Sequence, residues 1–222
     1  TYTYNTHIAM KIKKHITALA TAAALSATLP AVAQQSQHMA PETMLSLARV
    51  GASALSPDGK TVVYSVGFPS IKDNKIRTEL FTISSDGSAR RQITQGVAGV
   101  HGARWIQQGR RISYISSESG APQVWTMAPD GTDRRQVTNI EGGLSDYLFS
   151  PDEKQLAYIK EISFGKSTKE IYPDLPKATG RIVTDLMYKH WDEWVETIPH
   201  IFIAPVGGEA ITGGKDILEG EP

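Results

Sequence analysis

The residues of this sequence that could bind a ligand are concentrated in one stretch. Two carboxylates, Asp192 and Glu193, lie between Trp191 and Trp194, and His190 precedes them. Carboxylates can hold a cationic group such as an amine, and aromatic rings can border a binding pocket. The stretch therefore predicts contact with a ligand, although the same tryptophans could simply pack this segment onto its own domain.

Recognised catalytic patterns are weak or absent. A metal site at His190, Asp192 and Glu193 is poorly spaced, because neighbours at these intervals diverge on a helix. The Ser163-x-x-Lys166 pattern occurs without its S-D-N and K-T-G partners, and no serine lies in a G-x-S-x-G setting. There is also no H-E-x-x-H motif and no phosphate-binding glycine loop. We therefore assign no catalytic residue, no metal and no cofactor to this sequence.

The composition excludes several classes of function. The 222 residues carry 23 Lys+Arg and 23 Asp+Glu, so no net charge draws the chain onto nucleic acid or an anionic membrane. The absence of cysteine rules out disulfides, thiol nucleophiles and cysteine-ligated zinc. We expect a globular protein that does not bind nucleic acid and whose stability comes from burial of apolar side chains.

The beginning of the sequence has the pattern of a bacterial export signal. From Met10, three lysines precede a short apolar stretch over 16–27, and small residues then favour cleavage between Ala33 and Gln34. The apolar stretch is too short and too rich in alanine, serine and threonine to be a stable membrane anchor. Residues 1–9 read as a mis-assigned upstream extension. We expect a periplasmic or secreted bacterial protein.

The rest of the chain is organised by a repeat. The segment 91–94 (RQIT) recurs as 135–138 (RQVT), and the Asp-Gly pair at 86–87 recurs at 130–131, both at an offset of 44 residues. Segments LFTI and VWTM, upstream of these pairs, share the offset. A period of this length is typical of the four-stranded blades of a β-propeller.

The other half of each unit is a strand, a turn and a strand. It begins at Ala54, Ala103 and Tyr147, and two of its three turns read Ser-Pro-Asp-Gly or Ser-Pro-Asp-Glu, which suit a tight reverse turn. In the middle unit the predicted strands are 103–106, 111–116, 123–127 and 134–137. The pattern predicts an all-β fold, a partial β-propeller of about three four-stranded blades. A β-sandwich is the alternative, but it has no reason to repeat its turns in register.

The third blade is interrupted. Its first hairpin ends near Lys160, and the matching second hairpin begins near His200, so about 161–199 reads as an insertion. We expect this insertion to be partly helical, because Ile182, Leu186, Trp191 and Trp194 fall near helical spacing. The predicted organisation is a signal peptide over 10–33, a lead-in over 34–51 and an incomplete propeller over 52–222.

These motifs resemble those of a known family. The repeated S-P-D-G-K and D-G-x-x-R-R-Q-[IV]-T segments resemble blades of TolB-type propellers and of prolyl oligopeptidase family serine peptidases. The insertion from Tyr172 to Trp194, YPDLPKATGRIVTDLMYKHWDEW, resembles that of secreted bacterial members of this family close to dipeptidyl-peptidase V. The resemblance covers essentially Met10 to Pro222.

The resemblance implies an exported serine peptidase whose propeller screens peptide substrates for a C-terminal α/β-hydrolase domain. That domain would supply a Ser-His-Asp triad and an oxyanion hole. The sequence stops at Pro222, so we expect an inactive N-terminal fragment with the hydrolase domain missing. Dipeptidyl peptidases must hold a free α-amino group, and Trp191, Asp192, Glu193 and Trp194 are of suitable types to contact it. A TolB-like periplasmic binding module without enzymatic activity is the alternative.

Overall fold

The computed structural model describes residues 39–163, 165–183 and 189–220. All of its sheets lie within the unit Glu42–Pro222. The predicted export signal, with its cleavage site at Ala33 and Gln34, lies outside the described residues. Within the described ranges, every helix is too short or too polar to cross a lipid bilayer.

Three antiparallel sheets of four strands each make up most of the structure. Sheet one contains β1 (Arg49–Leu55), β2 (Thr61–Ser70), β3 (Lys75–Ser84) and β4 (Arg91–Gln92). Sheet two contains β5 (His101–Ile106), β6 (Arg111–Ser116), β7 (Gln123–Met127) and β8 (Arg135–Gln136). Sheet three contains β9 (Asp146–Phe149), β10 (Gln155–Ser163), β13 (Thr197–Pro205) and β14 (Lys215–Asp216). In each sheet every strand pairs with the next strand of the repeat, which gives an up-and-down meander.

The Ser-Pro-Asp turns close the first hairpin of sheets one and three in the same way. The Ser56 hydroxyl donates to Asp58 Oδ1 at 2.5 Å and accepts from the Thr61 N–H at 2.9 Å. The same two bonds recur around Ser150 and Asp152. The hydrogen bonds from these serine hydroxyls hold the pKa of Asp58 and Asp152 below the usual range. The repeated motif therefore specifies the turn through its own side chains.

The Asp-Gly turns close the second hairpin of sheets one and two. Gly87 and Gly131 have φ of +86° and +88°, the left-handed region that glycine enters without steric cost. Asp86 and Asp130 each accept hydrogen bonds from the hydroxyl and the backbone N–H of the residue two positions on, which lowers the pKa of both carboxyls. The 44-residue repeat is thus reproduced at the level of single hydrogen bonds.

Two apolar cores lie between successive sheets. Sheets one and two enclose a cluster made of Val63, Leu80, Ile93, Val97, Val100, Ile112, Tyr114 and Met127. Sheets two and three enclose a cluster made of Ile115, Val124, Ile140, Leu144, Tyr147, Leu156, Tyr158, Ala204 and Ile211. Alternate residues of β6 serve the two clusters, because successive side chains of a strand point to opposite faces of its sheet. Sheet two is therefore covered on both faces.

Hydrogen bonds from side chains also join the sheets. Trp105 Nε1 of sheet two donates to the carbonyl of Ala54 in sheet one at 3.0 Å. The Tyr147 hydroxyl of sheet three donates to the Gly102 carbonyl at 2.9 Å and accepts from the Ser113 hydroxyl at 2.8 Å. Burial raises the pKa of Tyr147. Face-to-face stacking of repeated four-stranded meanders is the packing of neighbouring propeller blades, so the predicted partial β-propeller is confirmed.

The insertion departs from one prediction. Strands β10 and β13 stay paired as far as Ser163 and Thr197, so their connection spans 164–196. In its described residues the connection contains one short helix, α2 (Thr168–Ile171), and a helix α1 (Pro41–Ser46) lies ahead of sheet one. A helix was predicted from the spacing of Ile182, Leu186, Trp191 and Trp194. That prediction is wrong for the described part, because β11 (Lys189–His190) and β12 (Glu193–Trp194) form a hairpin there. Leu186 lies outside the described residues.

Candidate functional site

The insertion emerges from a defined end of the stacked sheets. In a four-stranded meander, the connection between the second and third strands lies at the end opposite to the other two hairpin turns. The insertion is this connection in sheet three, and the β2–β3 turn at 71–74 is its equivalent in sheet one. Because the sheets stack with equivalent strands together, both connections project from the same end.

Trp191 occupies the tip of the inserted hairpin. Lys189 pairs with Trp194 and His190 pairs with Glu193, which leaves Trp191 and Asp192 as a two-residue turn. Trp191 is 90% exposed and has φ of +59°. A bulky residue in the left-handed region is uncommon and costs free energy, and such strain is often found where a side chain is presented to a ligand.

Trp194 is held at the base of the hairpin. The Arg181 guanidinium carbon and Lys189 Nζ each lie 4.6 Å from the centre of a Trp194 ring. Arg181 also forms an ion pair with Glu196, with Nε to Oε1 at 2.6 Å. These contacts fit the interpretation that Trp194 packs the insertion, because cations on an indole ring fix its orientation.

A capped helix supports the first part of the insertion. Ser167 accepts a hydrogen bond from the Glu170 N–H, and the Glu170 carboxylate accepts from the Ser167 hydroxyl and N–H at 2.7 Å each. This is a capping box, and the bonds from Ser167 lower the pKa of Glu170. It begins α2 locally, without any buried residue in the helix.

The four candidate residues are thus neighbours on one small hairpin, with different surroundings. Glu193 shares a hairpin face with His190, Trp194 shares the other face with Lys189, and both carboxylates are exposed. The arrangement can offer carboxylate oxygens to an ammonium group and an indole ring to an apolar side chain. No group of three or more potential metal ligands occurs in the part of the chain that the structure describes.

A second set of residues was not singled out from the sequence. In each four-stranded sheet, an aromatic residue of the third strand pairs with a tyrosine of the second strand. Two positions before that aromatic residue, the third strand carries a buried polar residue. These buried residues are Glu79, Gln123 and His200, which are 0%, 2% and 4% exposed. The 44-residue offset aligns Glu79 with Gln123 and could have revealed them, but the insertion hides His200 from that comparison.

The third sheet uses its buried position for a histidine–carboxylate pair. Nδ1 of His200 lies 2.7 Å from Oδ2 of Asp216, and Asp216 Oδ1 accepts from the Leu218 N–H at 2.9 Å. Burial alone would raise the pKa of Asp216, but the hydrogen bonds from His200 and Leu218 bring it below the usual range. Nδ1 is therefore the donor to an ionised carboxylate, and the pair ties β14 to β13.

The fold defines this chain as part of a β-propeller, and a solved peptidase structure shares that fold. The structure of the Pyrococcus horikoshii acylaminoacyl peptidase covers 78% of this chain with 26% of its own, at a TM-score of 0.56 and 12% identity. At that identity the likeness concerns the fold alone. No family model matches the chain.

Two relatives give a more specific relationship. The chain is 61% identical over 186 residues to dipeptidyl-peptidase 5 of Porphyromonas gingivalis, and 49% identical over 187 residues to dipeptidyl-peptidase 5 of Porphyromonas endodontalis. Each match covers 84% of this chain and 27% of the relative. The chain is therefore a homologue of part of these dipeptidyl peptidases, as the resemblance of its insertion predicted, and it spans about 27% of their length.

Proposed function

We propose that this chain is the propeller portion of an exported serine-type peptidase that releases dipeptides. In this role it admits peptides and orients their free amino ends toward a catalytic hydrolase domain that lies outside the chain. The observation that carries the proposal is identity of 61% to a dipeptidyl-peptidase 5 over most of the chain. The lysine-led apolar segment before Ala33 and Gln34 supports export to the periplasm or the medium.

The inserted hairpin supplies the contacts to the amino end. Asp192 and Glu193 accept hydrogen bonds from the α-ammonium group, and Trp191 borders the first side chain of the peptide. Trp194 positions the hairpin through Arg181 and Lys189. An ammonium bound by a carboxylate contributes through a charge-assisted hydrogen bond, which is stronger than a neutral one.

The test uses the product of the genomic reading frame that carries this sequence. We expect it to cleave fluorogenic dipeptidyl amides, to leave their N-acetylated forms uncleaved, and to be inactivated by an organophosphate that modifies reactive serines. Glu193→Gln and Asp192→Asn variants should raise KM for dipeptidyl amides by about 10- to 100-fold with a smaller change in kcat.

Two outcomes would overturn the proposal. Equal cleavage of free and N-acetylated substrates would contradict recognition of the amino end. A gene product that cleaves no peptide, yet binds a protein partner, would support a TolB-like binding module instead. Lys169→Gln is the matched control, because Lys169 lies in α2 of the same insertion and outside the hairpin, and its KM should stay unchanged.

A further inference from the structure

The central strand pair of sheet one, β2 and β3, is longer than that of sheet two. β2 and β3 have ten residues each and the equivalent β10 and β13 of sheet three have nine each, whereas β6 and β7 of sheet two have six and five. The additional residue pairs include Phe68 opposite Arg77 and Ser70 opposite Lys75. The hairpin therefore extends beyond the end of the stacked sheets from which the sheet-three insertion also projects.

A cleft lies on this extension. Its volume is about 660 Å³, within the range of small-ligand sites. It is lined by Phe68, Pro69, Ser70, Asp73, Lys75 and Arg77. The lining combines an aromatic ring, two cations and one carboxylate in a space open to solvent.

Arg77 is fixed in the cleft by a fully buried carboxylate. Its Nη1 donates to Oε1 of Glu79, which is 0% exposed, and its guanidinium carbon lies 5.4 Å from the centre of the Phe68 ring. Glu79 also accepts from the Thr94 hydroxyl and the Gly96 N–H, both at 2.7 Å. The Arg77 side chain is 55% exposed, so part of its guanidinium faces solvent.

The other sheets show that the blade does not need this charge. At the position of Glu79, sheet two has Gln123, which accepts from the Thr138 hydroxyl and the Ile140 N–H in the same way. At the position of Arg77, the 44-residue offset places Ala121. A neutral amide can therefore accept the two hydrogen bonds that this position of the blade requires. Burying a carboxylate costs free energy that the neutral amide of Gln123 avoids, so the use of Glu79 together with Arg77 points to a role for the arginine.

We propose that the cleft binds a short zwitterionic peptide, with its carboxylate on Arg77 and Lys75, its ammonium on Asp73 and an apolar side chain against Phe68. The two cations of the lining are balanced by Asp73 and by Glu79 beneath Arg77, so the cleft favours a ligand that carries both charges. A guanidinium offers two parallel donors to a carboxylate, and its fixed orientation reduces the ordering cost of binding. Glu79 acts here as a positioning residue.

This inference rests on the proposed function only for the choice of peptide. Dipeptides are the products of the proposed activity, and they carry both charged ends within a short span. The cleft would then retain or pass on a product, at a place on the same end of the sheets as the inserted hairpin and formed by a different blade.

The test is calorimetric titration of the full 222-residue chain with Ala-Phe, Ala-Phe amide and N-acetyl-Ala-Phe. We expect Ala-Phe to bind, and both capped forms to bind about 10- to 100-fold more weakly, because each loses one charged contact. Arg77→Gln should weaken Ala-Phe by a similar factor. Glu79→Gln should also weaken it while keeping the circular dichroism spectrum and thermal midpoint near those of the wild type, since Gln123 fills the equivalent place.

Arg135→Gln is the control, because Arg135 is an exposed arginine of sheet two and its loss should leave affinity unchanged. Ala-Phe amide binding as tightly as Ala-Phe, or an unaltered affinity in Arg77→Gln, would overturn the inference, as would failure of the folded wild-type chain to bind Ala-Phe. The proposed function has a separate readout. If the gene product releases dipeptides while this chain binds none, peptide binding at the cleft is refuted and the proposed function is not.

Discussion

Replacing one glycine in each of two equivalent turns measures the contact between blades. Gly87 and Gly131 occupy the same position of the repeat, with φ of +86° and +88°. A methyl group on Gly131 would lie 2.4 Å from the Ile93 carbonyl oxygen of sheet one, whereas a methyl group on Gly87 meets nothing within 4 Å. The two alanine variants therefore share the backbone strain and differ in the clash with the neighbouring blade.

The expected magnitudes follow from these two terms. The left-handed conformation costs an alanine about 1–2 kcal/mol, so Gly87→Ala should lower the free energy of unfolding by that amount. Gly131→Ala adds a backbone displacement of the kind that overpacking causes, about 1–3 kcal/mol more. With a urea m-value of roughly 2 kcal/mol/M, the midpoint of Gly131→Ala should lie about 0.5–1.5 M below that of Gly87→Ala.

The assay is equilibrium urea unfolding followed by tryptophan fluorescence and, separately, by far-ultraviolet circular dichroism. Coincident transitions from the two probes establish that one free energy describes the change. Equal midpoints for the two variants would refute the face-to-face packing of sheets one and two at this turn. A lower midpoint for Gly87→Ala than for Gly131→Ala would refute it as well.

Three further predictions concern single side chains. Ala89 has φ of +51°, so Ala89→Gly should raise the free energy of unfolding by about 0.5–1 kcal/mol, and a lower urea midpoint would contradict this. Tyr147→Phe removes a buried hydroxyl that is hydrogen-bonded to Gly102 and Ser113 across sheets two and three, and it should cost about 1–3 kcal/mol in the same assay, whereas an unchanged midpoint would show that the bonds are not formed. The pKa of Asp86 and Asp130 is lowered in the folded chain, so their contribution is complete above about pH 4 and is lost as the pH falls through the folded values. The double Asp→Asn variant should therefore lose less stability than the wild type between about pH 5 and pH 2.5, and identical acid profiles would contradict the turn bonds.

The repeat made most of the fold predictable. Turn residues, strand alternation and the 44-residue period are local signals, and they predicted β6 and β7 with the bounds that the structure has. The inserted hairpin was mispredicted because Trp191 and Trp194 are three residues apart, an interval that also fits a helix. What decides the outcome is the cross-strand pairing of Lys189 with Trp194, which spacing alone does not reveal.

The candidate site was predictable only in part. The sequence singled out the residues of the inserted hairpin by their chemical types, but it could not separate the exposed Trp191 from Trp194, which is held by Arg181 and Lys189. Arg77 and Glu79 escaped notice because their pairing depends on the burial of Glu79, which is a property of the packed blade. Only a comparison of Glu79 with Gln123 at the repeat offset could have raised the question.

Mass spectrometry of peptide products tests the central claim most directly. The product of the genomic reading frame is incubated with an unprotected octapeptide and with its N-acetylated form. The account predicts stepwise loss of dipeptides from the amino end of the free peptide and none from the acetylated one, with activity abolished by a serine-directed organophosphate. Single-residue release, cleavage of the acetylated peptide at the same rate, or an intact octapeptide would contradict it.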